Sequence, residues 1–296
     1  MADITRTSAA AFIPQIWANT ALEVLRANVV LAKLVARDTD VAPFTVGDTL
    51  NIPYPGTFVA NSKTANTPVT LQVPTGSTAQ VVLNNHREAS FLIEDAARAV
   101  ANQDVMKRYV EGAVVALAEQ IESDLLGLYS SFTNTTGVGG TNLSMATLLA
   151  TRKLMNDNKA PKGNRSIIVS DKDEVSLLAD STLQSYFAFA KPEAVANGSI
   201  GNLAGFDVYQ SQLVPFSTNT KNLAFDPGAI ILAMRGLPDA PPGSGAQTSV
   251  VRDEVSGLTL RCTIAYNAAN LGVQVTLDVL YGVAKLRNEK AVVVLS

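Results

Sequence analysis

The chain has 296 residues, enough for one large domain or two intertwined ones around a substantial core. Its 23 Lys and Arg against 26 Asp and Glu leave a net charge of −3, which argues against a basic footprint for sequence-specific DNA binding and leaves only local contacts open. Charged residues make up 17%, below the roughly 25% of an ordinary soluble domain, which fits either a surface weighted toward neutral and apolar groups suited to burial against partners or a large, well-buried monomeric core.

The opening Met1-Ala2-Asp3-Ile4-Thr5-Arg6 lacks a basic stretch followed by an apolar one and is not expected to be a signal peptide. Residues 1–13 are small and polar and read as an extended arm. Pro14 suits a first helical turn. Trp17, Ala21, Leu25, Val29 and Ala32 recur at spacings of 4, 4, 4 and 3, predicting a helix over Trp17–Ala36.

From Val46 the character changes. Thr49–Ile52 and Thr78–Leu83 read as strands, separated by a Thr- and Asn-rich stretch containing Pro53, Pro55, Gly56, Pro68, Pro74 and Gly76. The stretch reads as a long two-stranded excursion or as a disordered loop; two strands alone are marginal in water, so an excursion of this length is expected to need a neighbouring molecule to lie on.

The strongest signal follows. Val110, Val114, Leu117, Ile121, Leu125 and Leu128 recur at spacings of 4, 3, 4, 4 and 3, predicting one helix from Gln103 to Phe132. At 1.5 Å per residue it would be a rod of roughly 45 Å, much longer than a typical globular helix. Lys107, Arg108, Glu119, Glu122 and Asp124 are expected to lie away from its apolar stripe. Thr133–Gly137 stops it, and Gly137-Val138-Gly139-Gly140 reads as a linker.

An α/β region comes next. Ser144 caps a helix to about Asn158, Ser166–Val169 is a short buried strand, and Ser170–Asp173 reads as a capping box before a helix over Glu174–Ala179. Strands are predicted at Phe206–Ser211, Ala229–Met234 and Ser249–Asp253, with an exposed loop over Gly236–Gly245. Leu258, Leu260, Cys262 and Ile264 alternate with polar residues, as do Val273, Val275, Leu277, Val279 and Tyr281. Both runs predict strands with one buried face. Ala291–Leu295 is a final apolar strand.

The search for chemistry returns little. No run approaches 18 apolar residues, so no membrane-spanning helix is predicted. The only histidine, His86, reads as part of a polar bend, suited to a surface or hydrogen-bonding role rather than catalysis. The only cysteine, Cys262, excludes an intrachain disulfide, fits a reducing cytosol, and reads as a buried, inert thiol. One Cys and one His cannot make a zinc site. Asp171, Asp173 and Glu174 lack the spacing of a calcium loop and are explained by capping. The glycines of Gly198–Gly205 precede a strand rather than open a helix, the wrong context for a phosphate. No catalytic residue, metal ligand or cofactor-binding residue is assigned.

The order of elements (arm, short helix, Pro/Thr-rich hairpin, long helix, α/β region, late strands) resembles the major capsid proteins of tailed bacteriophages, with the α+β, Hong Kong 97-like fold. Gly47–Pro53 matches the entry to that family's extended loop. Ile200–Ser211 looks like a stretch common in these coat proteins, and Asn267–Gly272 before the Val273 strand is compatible. The resemblance spans essentially the whole chain and rests on the ordered combination.

It implies an N-terminal arm and helix over 1–43, an extended loop over 44–80 and a peripheral domain of 81–136 with 255–285 carrying the spine helix. The axial domain would be 137–254 with 286–296. In the loop, Tyr54, Phe58, Val59, Lys63, Val69 and Leu71 would face neighbouring subunits. Leu237, Pro238, Pro241 and Pro242 would lie at an axial tip around five- and six-fold axes. The resemblance further implies self-assembly into pentamers and hexamers of an icosahedral virion shell around double-stranded DNA contacted without sequence readout. Because the arm starts at Met1, a separate scaffolding protein is expected, with a portal, optionally a decoration protein, and no membrane. Some relatives crosslink a loop lysine to a neighbour's asparagine; Lys63 and Asn288 are the residues that would take those parts, with an ordinary exposed lysine as the simpler reading. The rival readings are an encapsulin-type compartment shell, which shares the fold and packages protein, an enzyme or ligand-binding domain with a nonstandard site, and a surface-layer array protein, against which the absent signal peptide counts.

Overall fold

The computed structural model describes residues 21, 30–40, 49–54, 58–73, 76–96, 103–180, 200–252 and 258–296. In chain order these form α1 (Leu31–Leu34), β1 (Ala36–Asp40), β2 (Thr49–Tyr54), β3 (Ser77–Val82), β4 (Asn85–Glu94) and α2 (Gln103–Gly127). A 3₁₀ turn at Leu128–Ser131 leads to β5 (Thr135–Gly137), α3 (Met145–Asp157), β6 (Ser166–Val169) and α4 (Asp171–Ala179). The remaining elements are β7 (Asn202–Leu203), β8 (Phe206–Gln210), β9 (Lys221–Phe225), β10 (Ile230–Arg235), β11 (Ala246–Arg252), β12 (Thr259–Asn267), β13 (Gly272–Lys285) and β14 (Ala291–Leu295). The expected arm and residues Trp17, Leu25 and Val29 lie outside the described residues.

The first sheet is built on β13, which at 14 residues is long enough to take two partners in tandem along one edge. β12 pairs with Gly272–Asp278 and β10 with Leu280–Lys285. β4 pairs with Gly272–Tyr281 on the opposite edge. β11 extends the sheet beyond β12, and β1 joins β10 in parallel. Gly282 sits where the chain crosses from β3 to β4, and a Cβ there would overlap the Val82 carbonyl oxygen. Gly282→Ala is therefore expected to cost about 1–3 kcal/mol of stability in denaturant unfolding, as overpacking against backbone does.

α2 lies across β4 and β13. Val110, Val114, Leu117, Ile121 and Leu125 are buried, at 0–3% exposure, among Leu258, Leu260, Cys262, Val275, Leu277 and Val279. The α-helix ends at Gly127, so its 25 residues span about 37 Å, and the tighter turn that follows leaves Leu128 half-buried.

The second sheet runs β5-β14-β9-β6-β8-β7. Ile168, Leu223, Phe225 and Val293 face the α2 core, whereas Ile167, Val169, Ala224, Val292 and Val294 face Leu148 and Met155 of α3. Covered on both faces, β6 and β14 carry nearly continuous apolar runs without the period of two. Ser144 and Ser170 cap α3 and α4, their hydroxyls accepting from the Thr147 and Asp173 amides. Ala204 and Gly205, both at positive φ (53° and 80°), form the two-residue turn between β7 and β8.

Several expectations change. Within the predicted first helix Val30 is a bend before the separate helix Leu31–Leu34, and Ala36–Asp40 is a strand, because pairing with β10 decides its conformation where its own sequence has no apolar period. His86 lies within β4, not in a bend. Gly137 of the expected linker closes β5, which pairs with Val293–Leu295. β10 and β11 belong to the first sheet with β12 and β13. The second sheet instead gathers residues 135–225 and 291–295.

Candidate assembly interface

β2 and β3 form an antiparallel ribbon with Thr49 opposite Val82 and Tyr54 opposite Ser77. Its base is anchored: Leu50 and Ile52 pack with Val81, Leu83, Ile231 and Ala233 against the first sheet. Further out, the described residues provide no such cover. Phe58, Val59, Val69, Leu71 and Val73 are 66–94% exposed, a concentration of exposed apolar side chains along one ribbon. The side chain of Tyr54 lies outside the described residues.

At the tip, Lys63 Nζ donates to the carbonyl of Thr64 at 2.7 Å, to the carbonyl of Thr67, and to Thr67 Oγ1 at 3.4 Å. Asn288 accepts from the Thr133 amide (3.0 Å) and donates to Thr133 Oγ1 (2.8 Å). Both residues named for a crosslink are thus engaged within their own neighbourhoods.

Leu237, Pro238, Pro241 and Pro242 lie between β10 and β11. Leu237 is half-buried and the prolines are exposed. The loop is tied down by Arg261, which donates to the Pro238 carbonyl at 2.6 Å, and by Thr248, whose Oγ1 donates to Asp239 (3.0 Å) and accepts from the Ala240 amide (3.1 Å). It connects two strands of the first sheet, β10 and β11.

The spine helix holds two polar anchors that its stripe hides. Asp124 accepts from Tyr281 Oη at 2.6 Å and from Gln120 at 2.8 Å, tying α2 to β13. Glu122, 5% exposed, caps α1: its Oε1 accepts from the amides of Val30 (2.8 Å), Leu31 (2.7 Å) and Ala32 (3.3 Å). Both were expected on the outer face. Glu122 follows Ala118 and precedes Leu126 by four residues each, so the row Ala118-Glu122-Leu126 was the available signal.

Burial pushes Glu122 up from 4.5 to about 7, more than the three amides and Lys33 pull it down. The native chain therefore holds a proton there that the unfolded chain releases between about pH 4.5 and 7. This stabilisation is complete below 4.5 and lost as pH rises through 7, and it is worth about 3 kcal/mol. In Glu122→Gln that loss disappears from denaturation midpoints measured across the window. An unchanged pH slope would show that Glu122 does not titrate there.

His86 Nε2 lies 2.9 Å from Asp278 Oδ2, inside the sheet's polar face. Cys262 is buried and its thiol is pushed up to about 12 by burial first and by Asp278 second, far from a reactive thiolate. Among the described residues no three His, Cys, Asp or Glu side chains gather as metal ligands, and no helix is long and apolar enough to cross a membrane.

A spine helix over one sheet, a second sheet sharing its core and an outlying ribbon define the class: a capsid-type fold. Solved structures agree. A Mycobacterium phage Che8 protein matches at TM-score 0.62 and 16% identity, over 90% of each chain. A protein of the cyanophage P-SCSP1u capsid matches at 0.66 and 16%, over 90% of this chain and 87% of that one. The virus-like particle from Pyrococcus furiosus matches at 0.54 and 11%, over 95% and 98%. No curated protein sequence matches. The model of the phage capsid protein family matches residues 87–275, and the chain belongs to that family. It is a major capsid protein, a structural subunit of the virion shell, with the Hong Kong 97-like fold expected from its sequence.

Proposed function

We propose that this subunit assembles into pentamers and hexamers that close an icosahedral shell around double-stranded DNA, and that it catalyses no reaction. The exposed apolar ribbon carries this reading: its base is fixed to the body while the apolar side chains of its outer half are exposed and open to another molecule. Phe58, Val59, Val69 and Leu71 are the contact residues on this account, with Tyr54 beside them. The spine face from Val110 to Leu128 serves the subunit's own core. We assign the peripheral unit to the first sheet with α2 and the axial unit to the second sheet, with Pro238, Pro241 and Pro242 a contact loop of the former.

Head-to-tail contacts of one chain close into rings when their rotation closes, and many weak contacts make a durable shell by multivalency. With a net charge of −3 the inner surface would hold DNA without sequence readout. A separate scaffold, a portal and optionally a decoration protein complete assembly in the host cytoplasm.

Analytical ultracentrifugation of the purified chain is expected to show capsomers at low concentration and closed particles above a threshold. A monomer at every concentration would overturn the proposal. An encapsulin-type compartment is the second reading, favoured by the virus-like particle whose chain is covered over 98%. Particles co-purifying with an enzyme cargo instead of nucleic acid would select it.

A further inference from the structure

Beyond Tyr54 and Ser77, where the strand pairing ends, and short of the turn at 63–67, the two arms of the ribbon are held together by one side chain among the described residues. The Val59 amide donates to Gln72 Oε1 at 2.9 Å, and Gln72 Nε2 donates to the Val59 carbonyl at 2.5 Å. A primary amide carries a donor and an acceptor side by side, so Gln72 supplies to Val59 what a paired strand would. It is also the one half-buried residue between Phe58 and Val73. At the far end, Lys63 staples the turn in which Asn66 takes φ 60°, and Thr67 donates from both its amide and its hydroxyl to the Thr64 carbonyl.

We propose that Gln72 and Lys63 are positioning residues that set the ribbon's docking shape before it meets a neighbouring copy. This rests on the reading of the ribbon as the assembly element. Docking a preformed ribbon avoids the entropy of ordering its backbone at the contact, so the apolar side chains bind with less of their energy spent on folding. The two residues differ in what they fix. Gln72 sets the spacing of the arms that carry Val59 and Leu71, and Lys63 sets the turn.

The test uses the full chain. Gln72→Ala and Lys63→Ala are each expected to leave the melting temperature of the unassembled subunit unchanged and to raise the critical concentration for shell formation about three- to ten-fold. The double variant raises it further. In the unassembled subunit, Gln72→Ala speeds hydrogen exchange at the Val59 amide and spares the β2–β3 amides. Single variants that assemble at the wild-type concentration, or a wild-type Val59 amide as unprotected as in Gln72→Ala, overturn the inference. A parallel chain with 58–73 replaced by a short Gly-Ser linker separates the two levels. Its failure to assemble beside normal single variants sinks only the positioning role; its normal assembly sinks the ribbon reading and the inference with it.

Discussion

A chain whose residues 58–73 are replaced by a short Gly-Ser linker folds but closes no shells. The segment contributes nothing to the subunit's own core: its residues are exposed apart from Gln72, whose contact is internal to the ribbon. Removing it leaves β2 and β3 paired and Leu50 and Ile52 seated, so unfolding transitions stay within about 1 kcal/mol of the parent, the usual range for surface changes. What is lost is contact area on a neighbour. Apolar burial is worth about 25 cal/mol per Å² before association costs, and each subunit's loss recurs at every contact of the shell. Light scattering should show no growth at concentrations where the parent assembles. Normal particles from the truncated chain would refute the ribbon's role.

The second large effect lies in the sheet. Asp278 is 2% exposed and accepts two hydrogen bonds from Arg261, Nε to Oδ1 at 3.0 Å and Nη2 to Oδ2 at 2.6 Å. His86, whose side chain is 53% exposed, lies 2.9 Å from the same carboxylate. Arg261→Ala strands a buried carboxylate and also frees the loop at Pro238. A broken buried pair costs about 3–5 kcal/mol. The paired change Arg261→Met with Asp278→Leu removes both charges and is expected to recover most of that loss. Equal destabilisation in the single and paired variants, measured by denaturant unfolding, would show that the ion pair is not the cause.

Much of the architecture was legible where one physical demand ruled a segment. The α2 stripe and the alternation of β12 and β13 record faces buried against each other, and the Ser144 and Ser170 caps record local hydrogen bonding. Legibility failed where partners distant in sequence decided. β1 is polar and is a strand because β10 offers it an edge and Arg235 holds Asp38, with its guanidinium 3.4 Å from Oδ2. β4 begins with Asn85-His86-Arg87-Glu88, whose polarity reads as a bend until β13 is seen beside it. β9 escaped notice because Lys221 and Asn222 break its apolar run; Asn222 is buried to donate to Asp173. Glu122 could not be placed from its charge alone, since its partners are backbone amides about 90 residues away.

The exposed side chains of the ribbon were named from sequence as contacts, and their lack of cover within one chain is what the structure adds. The division of units was taken from the family resemblance, and nothing in the sequence of β10 and β11 shows that they pair into the first sheet.

Electron cryomicroscopy of particles assembled from the purified chain examines the account at its root. The expected density shows closed particles in which Phe58, Val69 and Leu71 of each subunit rest on an adjacent copy. Density tracing that segment back onto its own body, or a solution holding only single subunits, would contradict it.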